Sequence, residues 1–304
     1  MSKRTATVSV TPPFRLDLTA TVLRRLSTNV VDVFDGTAYR RLLDAAPHGD
    51  PSNPTSVTVV QSAPDTLRVT LEGPHAPAVD VDGFVRRTFG TDVTLDAFGR
   101  GAKRFPWLHR IARAARGVKP PRYPSLWETA CNAIVYQQIS IHAAGAILRR
   151  VVERFAEPRE LGGVRLSPFP PVGDVLAAGD ADLRALGLSA GKVAALRSVG
   201  EAIVSRALDE ALLESMPTAD LLVHLAQHRG IGPWTAAVIA LRGFGRLDVF
   251  PMNDSGATAL LRTLSGDAAI AVEPVIEALA PQQGMLYYHL LLGRLAKNGE
   301  VKLA

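Results

Sequence analysis

One segment, Leu225–Asp254, holds residues whose types and spacing could do chemistry. Gly230 and Gly232 flank Ile231, Pro233 and Trp234 follow, and Asp254 stands twenty positions after the tryptophan in the loop Phe250–Ser255. Glycines let the backbone turn tightly and let another molecule approach the amides closely. Pro233 suits a first helical position. A helix N-terminus with uncovered N–H groups is a ready phosphate site, which points to nucleic acid.

The elements that must position these residues are legible around them. Trp234, Val238 and Leu241 share one face of a helix that starts at Pro233, and Ala219–His228 reads as the helix before it. Upstream, Ser125 and Glu128 have capping-box spacing for a helix to about Tyr136, and Ser140 caps the next, Ile141–Phe155. That leaves Gln137 and Gln138 in the break between two helices. Further helices are expected over Asp180–Leu188, Gly191–Ala207, Ser255–Leu264, Glu273–Leu279 and Leu286–Lys297, so the chain reads as helical from Ser125 to its end.

Before Arg100 the pattern differs. Thr55–Ser62 and Thr66–Glu72 alternate apolar and polar residues like a hairpin, Thr5–Val10 reads as a further strand, and Phe14, Leu16 and Leu18 alternate in the same way. Thr19–Leu26 and Asp80–Phe89 look helical. The expected fold class is α+β: a small antiparallel-sheet domain over residues 1–112, then a mainly helical unit over 113–304. Gly117–Pro124 resembles a linker. No acidic residue occurs between Asp96 and Glu128, while Arg100, Lys103, Arg104, Arg110, Arg113, Arg116, Lys119 and Arg122 accumulate. Such a run is either a phosphate-facing surface or a solvated face.

Composition narrows the class. The 304 residues carry a net charge of +5, which permits a polyanionic partner without requiring one. The single cysteine, Cys131, excludes an internal disulfide and a four-cysteine iron–sulfur cluster. No signal-peptide pattern and no long apolar run is present, so an intracellular, soluble protein is expected. Gly187–Gly191 matches a nucleophile elbow around Ser189 literally, but a helix turn explains it better than a strand would. His224 and His228 are four apart without the glutamate or third ligand of a zinc site. His289 lies in an apolar helical stretch, as a satisfied core residue would.

The motif G-I-G-P-W-T-A (Gly230–Ala236), then A-L-R-G (Ala240–Gly243), D-V-F (Asp248–Phe250) and Asp254, with Y-Q-Q-I-S (Tyr136–Ser140) upstream, resembles the helix-hairpin-helix DNA glycosylase superfamily. Within it, the segment is similar to the alkylation-repair branch, the 3-methyladenine DNA glycosylase II type. The likeness is strongest over Ser125–Leu264 and loose before Arg100.

The resemblance implies a base-excision enzyme of alkylated DNA. Asp254 would be the catalytic carboxylate. Trp234, Val238 and Tyr288 would line the base pocket, with Tyr287 an alternative to Tyr288. Amides near Gly230, Gly232, Thr235 and Ala236, together with Gln137 and Gln138, would bind DNA, Gln138 filling the gap left by the flipped base. Backbone carbonyls of Ala226, His228 and Gly230 would hold a structural Na+ or K+, with no cofactor needed for catalysis and no iron–sulfur cluster. Bifunctional members place a lysine where Trp234 stands, so hydrolysis without strand cleavage is expected. Double-stranded DNA would be the partner of a monomeric, cytoplasmic, nucleoid-associated protein. A non-catalytic binder of damaged DNA, or a glycosylase for oxidised or deaminated bases, is the alternative. The family's further pocket aromatics have no counterpart at Val238 or in Pro281–Gly284, which leaves the base preference open.

Overall fold

The computed structural model describes residues 2–43 and 54–303. Strand β1 (Lys3–Ser9) leads to helix α1 (Leu16–Arg24), short β2 (Val33–Phe34), β3 (Ala38–Leu43) and the hairpin β4 (Thr55–Ala63) and β5 (Thr66–Glu72). The sheet order is β1-β5-β4-β3-β2, and every neighbouring pair is antiparallel. Leu67, Val69 and Leu71 are buried on one face, as their alternation requires. The alternation of Phe14, Leu16 and Leu18 has a different origin. Leu16, Ala20 and Leu23 pack into the sheet core while Leu18 and Val22 pack into the helical core. Two interleaved helical stripes on one doubly buried helix mimic a strand.

Helices α2 (Val81–Phe89), α3 (Asp96–Ala102) and α4 (Pro106–Ala114) follow. The 112/113 division falls inside α4, whose Trp107, Leu108 and Ile111 pack with carboxyl-terminal helices. The expected linker is a packed strap: Val118, Lys119 and Tyr123 are buried. Two members of the basic run are thereby engaged within the fold: Lys119 Nζ donates to the Val93 carbonyl at 2.6 Å, and half-buried Arg122 pairs with Glu214 at 2.6 Å.

The chain continues through α5 (Leu126–Val135), α6 (Ile141–Phe155), a small hairpin of β6 (Arg159–Leu161) and β7 (Val164–Leu166), then α7 (Val172–Ala177), α8 (Asp180–Ala185), α9 (Ala190–Val204) and α10 (Glu210–Ser215). The hairpin corrects the expectation of unbroken helix. Ser125 Oγ caps α5 by accepting from the Glu128 N–H at 3.2 Å, while the Glu128 carboxylate pairs with buried Arg41 and so ties α5 to the sheet. Every residue of α5 is buried, making it the axis of the helical core. The last elements are α11 (Thr218–Ala226), α12 (Pro233–Phe244), α13 (Ser255–Ser265), α14 (Glu273–Leu279) and α15 (Met285–Lys297). The class is α+β, a helical core beside an antiparallel sheet. Among the described residues no helix is long and apolar enough to cross a membrane.

Candidate active site

Helices α11 and α12 form the hairpin, and its two glycines serve different purposes. Gly230 has φ +88°, and a Cβ there would lie 2.2 Å from the Ala195 Cβ on α9. Conformation and packing both demand glycine. Gly232 has φ −83° and open space around its Cα, so it leaves the end of α12 uncovered. Ile231, 3 % exposed, pins the turn into the core. The Ala236 N–H donates to the Gly232 carbonyl at 2.9 Å, so this amide, expected at a phosphate, is used inside the helix. The amides of Gly232, Trp234 and Thr235 have no acceptor among the described residues.

The two glutamines also part. Gln137 Nε2 donates to the Gly230 carbonyl at 2.9 Å and to Thr235 Oγ1 at 2.8 Å. Its amide nitrogen thus holds the hairpin against the end of α5 rather than reaching outward. Gln138 is exposed, with φ +56°, at the tip of the loop before α6. A left-handed conformation is uncommon for a non-glycine residue and marks a segment held by its surroundings.

Asp254 lies where the loop enters α13, directly after Asn253 at φ +62°. It is the N-cap of that helix: Oδ1 accepts from the Ala257 N–H at 2.8 Å. Its other oxygen accepts from Trp234 Nε1 at 3.0 Å. Two donors therefore aim the carboxylate, and the tryptophan and carboxylate singled out by spacing meet in space. Both line a cleft of about 1290 Å³, with Gln138, Gly232 and Tyr287 on its walls. Val238 and Tyr288 do not line it. Val238 is 1 % exposed in the core behind α12, and the fully buried Tyr288 hydroxyl donates to the Pro121 carbonyl at 3.3 Å. Tyr287 takes the aromatic place. Burial pushes its phenol up to about 12, Arg25 opposing and Asp254 reinforcing the shift.

Two cleft residues carried no signal in the sequence. Arg294, near the end of α15, lies 3.3 Å from His142 Nε2. Arg25 follows α1 at φ +63°, is 5 % exposed, and places its guanidinium 4.2 Å over the Tyr136 ring. Only tertiary contact brings a residue so early in the chain to this cleft. Arg242 of the A-L-R-G segment explains how: its Nη2 donates to the carbonyls of Val22 and Leu23 at 3.1 and 3.0 Å, clamping the end of α1 to α12.

Ser189 caps α9 by accepting from the Lys192 N–H at 3.3 Å, a structural use. His224 and His228 have ring centroids 5.8 Å apart, and no group of three or more metal-binding side chains occurs among the described residues. The carbonyls of Ala226, His228 and Gly230 sit at the carboxyl end of α11, the negative end of its dipole. His228 and Gly230 each accept one hydrogen bond, from the Ile231 N–H and Gln137 Nε2, and each carbonyl keeps a second lone pair. This donor set suits a hard monovalent cation.

A helical hairpin, a flanking loop and a carboxylate around one cleft define a helix-hairpin-helix protein. Residues 131–280 match the model of the HhH-GPD superfamily of base excision DNA repair proteins. It is 28 % identical over 181 residues to a DNA-3-methyladenine glycosylase of Bacillus subtilis, a match covering 60 % of each protein. It is 31 % identical over 153 residues to DNA-3-methyladenine glycosylase 2 of Escherichia coli, covering 48 % of this chain and 51 % of that one. The chain thus spans only part of these relatives. The fold matches the 3-methyladenine DNA glycosylase of Archaeoglobus fulgidus with a TM-score of 0.75 at 22 % identity, over 95 % of this chain and 98 % of that one.

Proposed function

We propose that this protein is a monofunctional DNA glycosylase that hydrolyses the N-glycosidic bond of alkylated, cationic purines in double-stranded DNA. The observation that carries this reading is the Trp234–Asp254 contact inside a cleft edged by the uncovered amides of the hairpin. A stacked base is out of reach, so it must be extruded. The amides of Gly232 and Thr235 would grip a backbone phosphate beside the lesion, and exposed Gln138 would fill the vacated place. Carbonyls of Ala226, His228 and Gly230 would hold Na+ or K+, whose charge assists that phosphate contact.

In the cleft, the indole of Trp234 would lie against the base and favour a positive ring. Glycosidic cleavage develops oxocarbenium character on the sugar, and the fixed Asp254 carboxylate stabilises it and orients water. A base that already carries positive charge leaves with little acid assistance. Trp234 stands where a Schiff-base lysine would act, and no lysine lines the cleft among the described residues. Base release should therefore leave an intact strand. The close relation of the matched region to enzymes named for 3-methyladenine supports the substrate class. We further place the protein in the cytoplasm as a nucleoid-associated monomer.

Incubation with methylated duplex DNA, with released bases identified by mass spectrometry and strands resolved before and after alkali, tests the reading. Methylated purines should appear with strands that break only after alkali. Absence of released base would overturn the reading, and nicking without alkali would overturn its monofunctional part.

A further inference from the structure

Arg25 is a buried cation with no task in the mechanism above. It lines the cleft at 5 % exposure and is stacked over Tyr136, and no ion pair of it with a carboxylate occurs among the described residues. Arg242 locks the end of α1 that carries it, so the guanidinium is a preset feature of the wall rather than a wandering side chain. Burial opposes its charge, but the surrounding tyrosines Tyr123, Tyr287 and Tyr136 outweigh that and raise its pKa above the ordinary value.

Resting on the proposed function, we propose that Arg25 is a specificity-determining residue that favours alkylated purines with a carbonyl oxygen at position 6 over those with an amino group there. A guanidinium has donors and no acceptor. The O6 of a guanine-type base can accept from it, the pairing that makes arginine a reader of guanine. A 6-amino group would present a donor to a donor and lose its water without replacement. Both N7-methylguanine and N3-methyladenine are cationic, so repulsion from Arg25 weighs on each and does not decide between them. The position-6 group does.

The test measures single-turnover release of N7-methylguanine and N3-methyladenine from methylated duplex DNA, each normalised to its spontaneous loss. Wild type should favour N7-methylguanine by about tenfold. R25M should bring the ratio near one by slowing N7-methylguanine release, and R25K, which keeps a cationic donor, should retain most of the preference. Fluorescence titration of the same proteins with the two free bases should give the same order, a readout independent of turnover. A wild-type preference for N3-methyladenine, or a ratio unmoved in R25M while release continues, would overturn the role of Arg25 alone. Release of neither base would overturn the underlying function with it.

Discussion

The two walls of the cleft are built in opposite ways. One is a continuous segment, α11 through Asp254, in which the turn, the indole and the carboxylate follow one another along the chain. The other gathers Arg25, Tyr136 and Tyr287 from three distant places. In the proposed function the contiguous wall would supply amides for phosphate, an indole for the base and a carboxylate for the sugar. The assembled wall depends on tertiary clamps such as Arg242 on α1. One wall is encoded locally and the other non-locally.

Breaking the local wall at its carboxylate should have the largest effect. D254N should lower single-turnover base release by about 10²–10³-fold, because the charge facing the oxocarbenium is lost, while duplex affinity measured by anisotropy stays within a factor of a few. G230A should cost about 3 kcal/mol in urea unfolding, since it combines φ +88° with a Cβ 2.2 Å from Ala195.

Behind the assembled wall, His289 is 2 % exposed on α15, its Nδ1–H donating to the Met285 carbonyl at 2.8 Å. Burial pushes its pKa down to about 4, the Met285 contact opposing. The unfolded value is about 6.5, so the unfolded chain takes the proton first as pH falls. The stability is fully present above about pH 6.5 and drains between there and about 4, by roughly 3 kcal/mol at the limit. H289Q should flatten that part of a pH-dependent melting curve.

The glutamine pair gives the smaller effects. Q137A removes both hydrogen bonds that hold the hairpin and should cost about 2 kcal/mol. Q138A should change stability by less than about 0.5 kcal/mol and still slow base release, because exposed Gln138 holds nothing inside the protein.

The same division explains what the sequence made visible. Gly-x-Gly-Pro, the Ser125 and Ser140 caps and the β4–β5 alternation act over a few residues, so their spacing was enough. Asp254 stands out by its place after the hairpin motif, while its bond to Trp234 leaves no trace in the sequence. Helix α1 misled because it is buried on two sides. The resemblance puts Val238 and Tyr288 in the pocket, but a match of motif positions does not say whether a side chain meets a cleft or the core. Tyr287, one residue away, meets the cleft. Gln137 and Gln138 look alike in sequence, and only the turn between α5 and α6 sends one inward and the other out. Arg25 left no local trace because its position depends on a helix clamped from the far end of the chain.

The most direct test of the account is a crystal structure of D254N bound to a duplex carrying a methylated purine. It should show the purine extruded into the cleft with one face on Trp234, a neighbouring phosphate on the Gly232 and Thr235 amides, and Gln138 in the vacated stack. A duplex bound elsewhere, or a methylated base still stacked with the hairpin engaged, would contradict it.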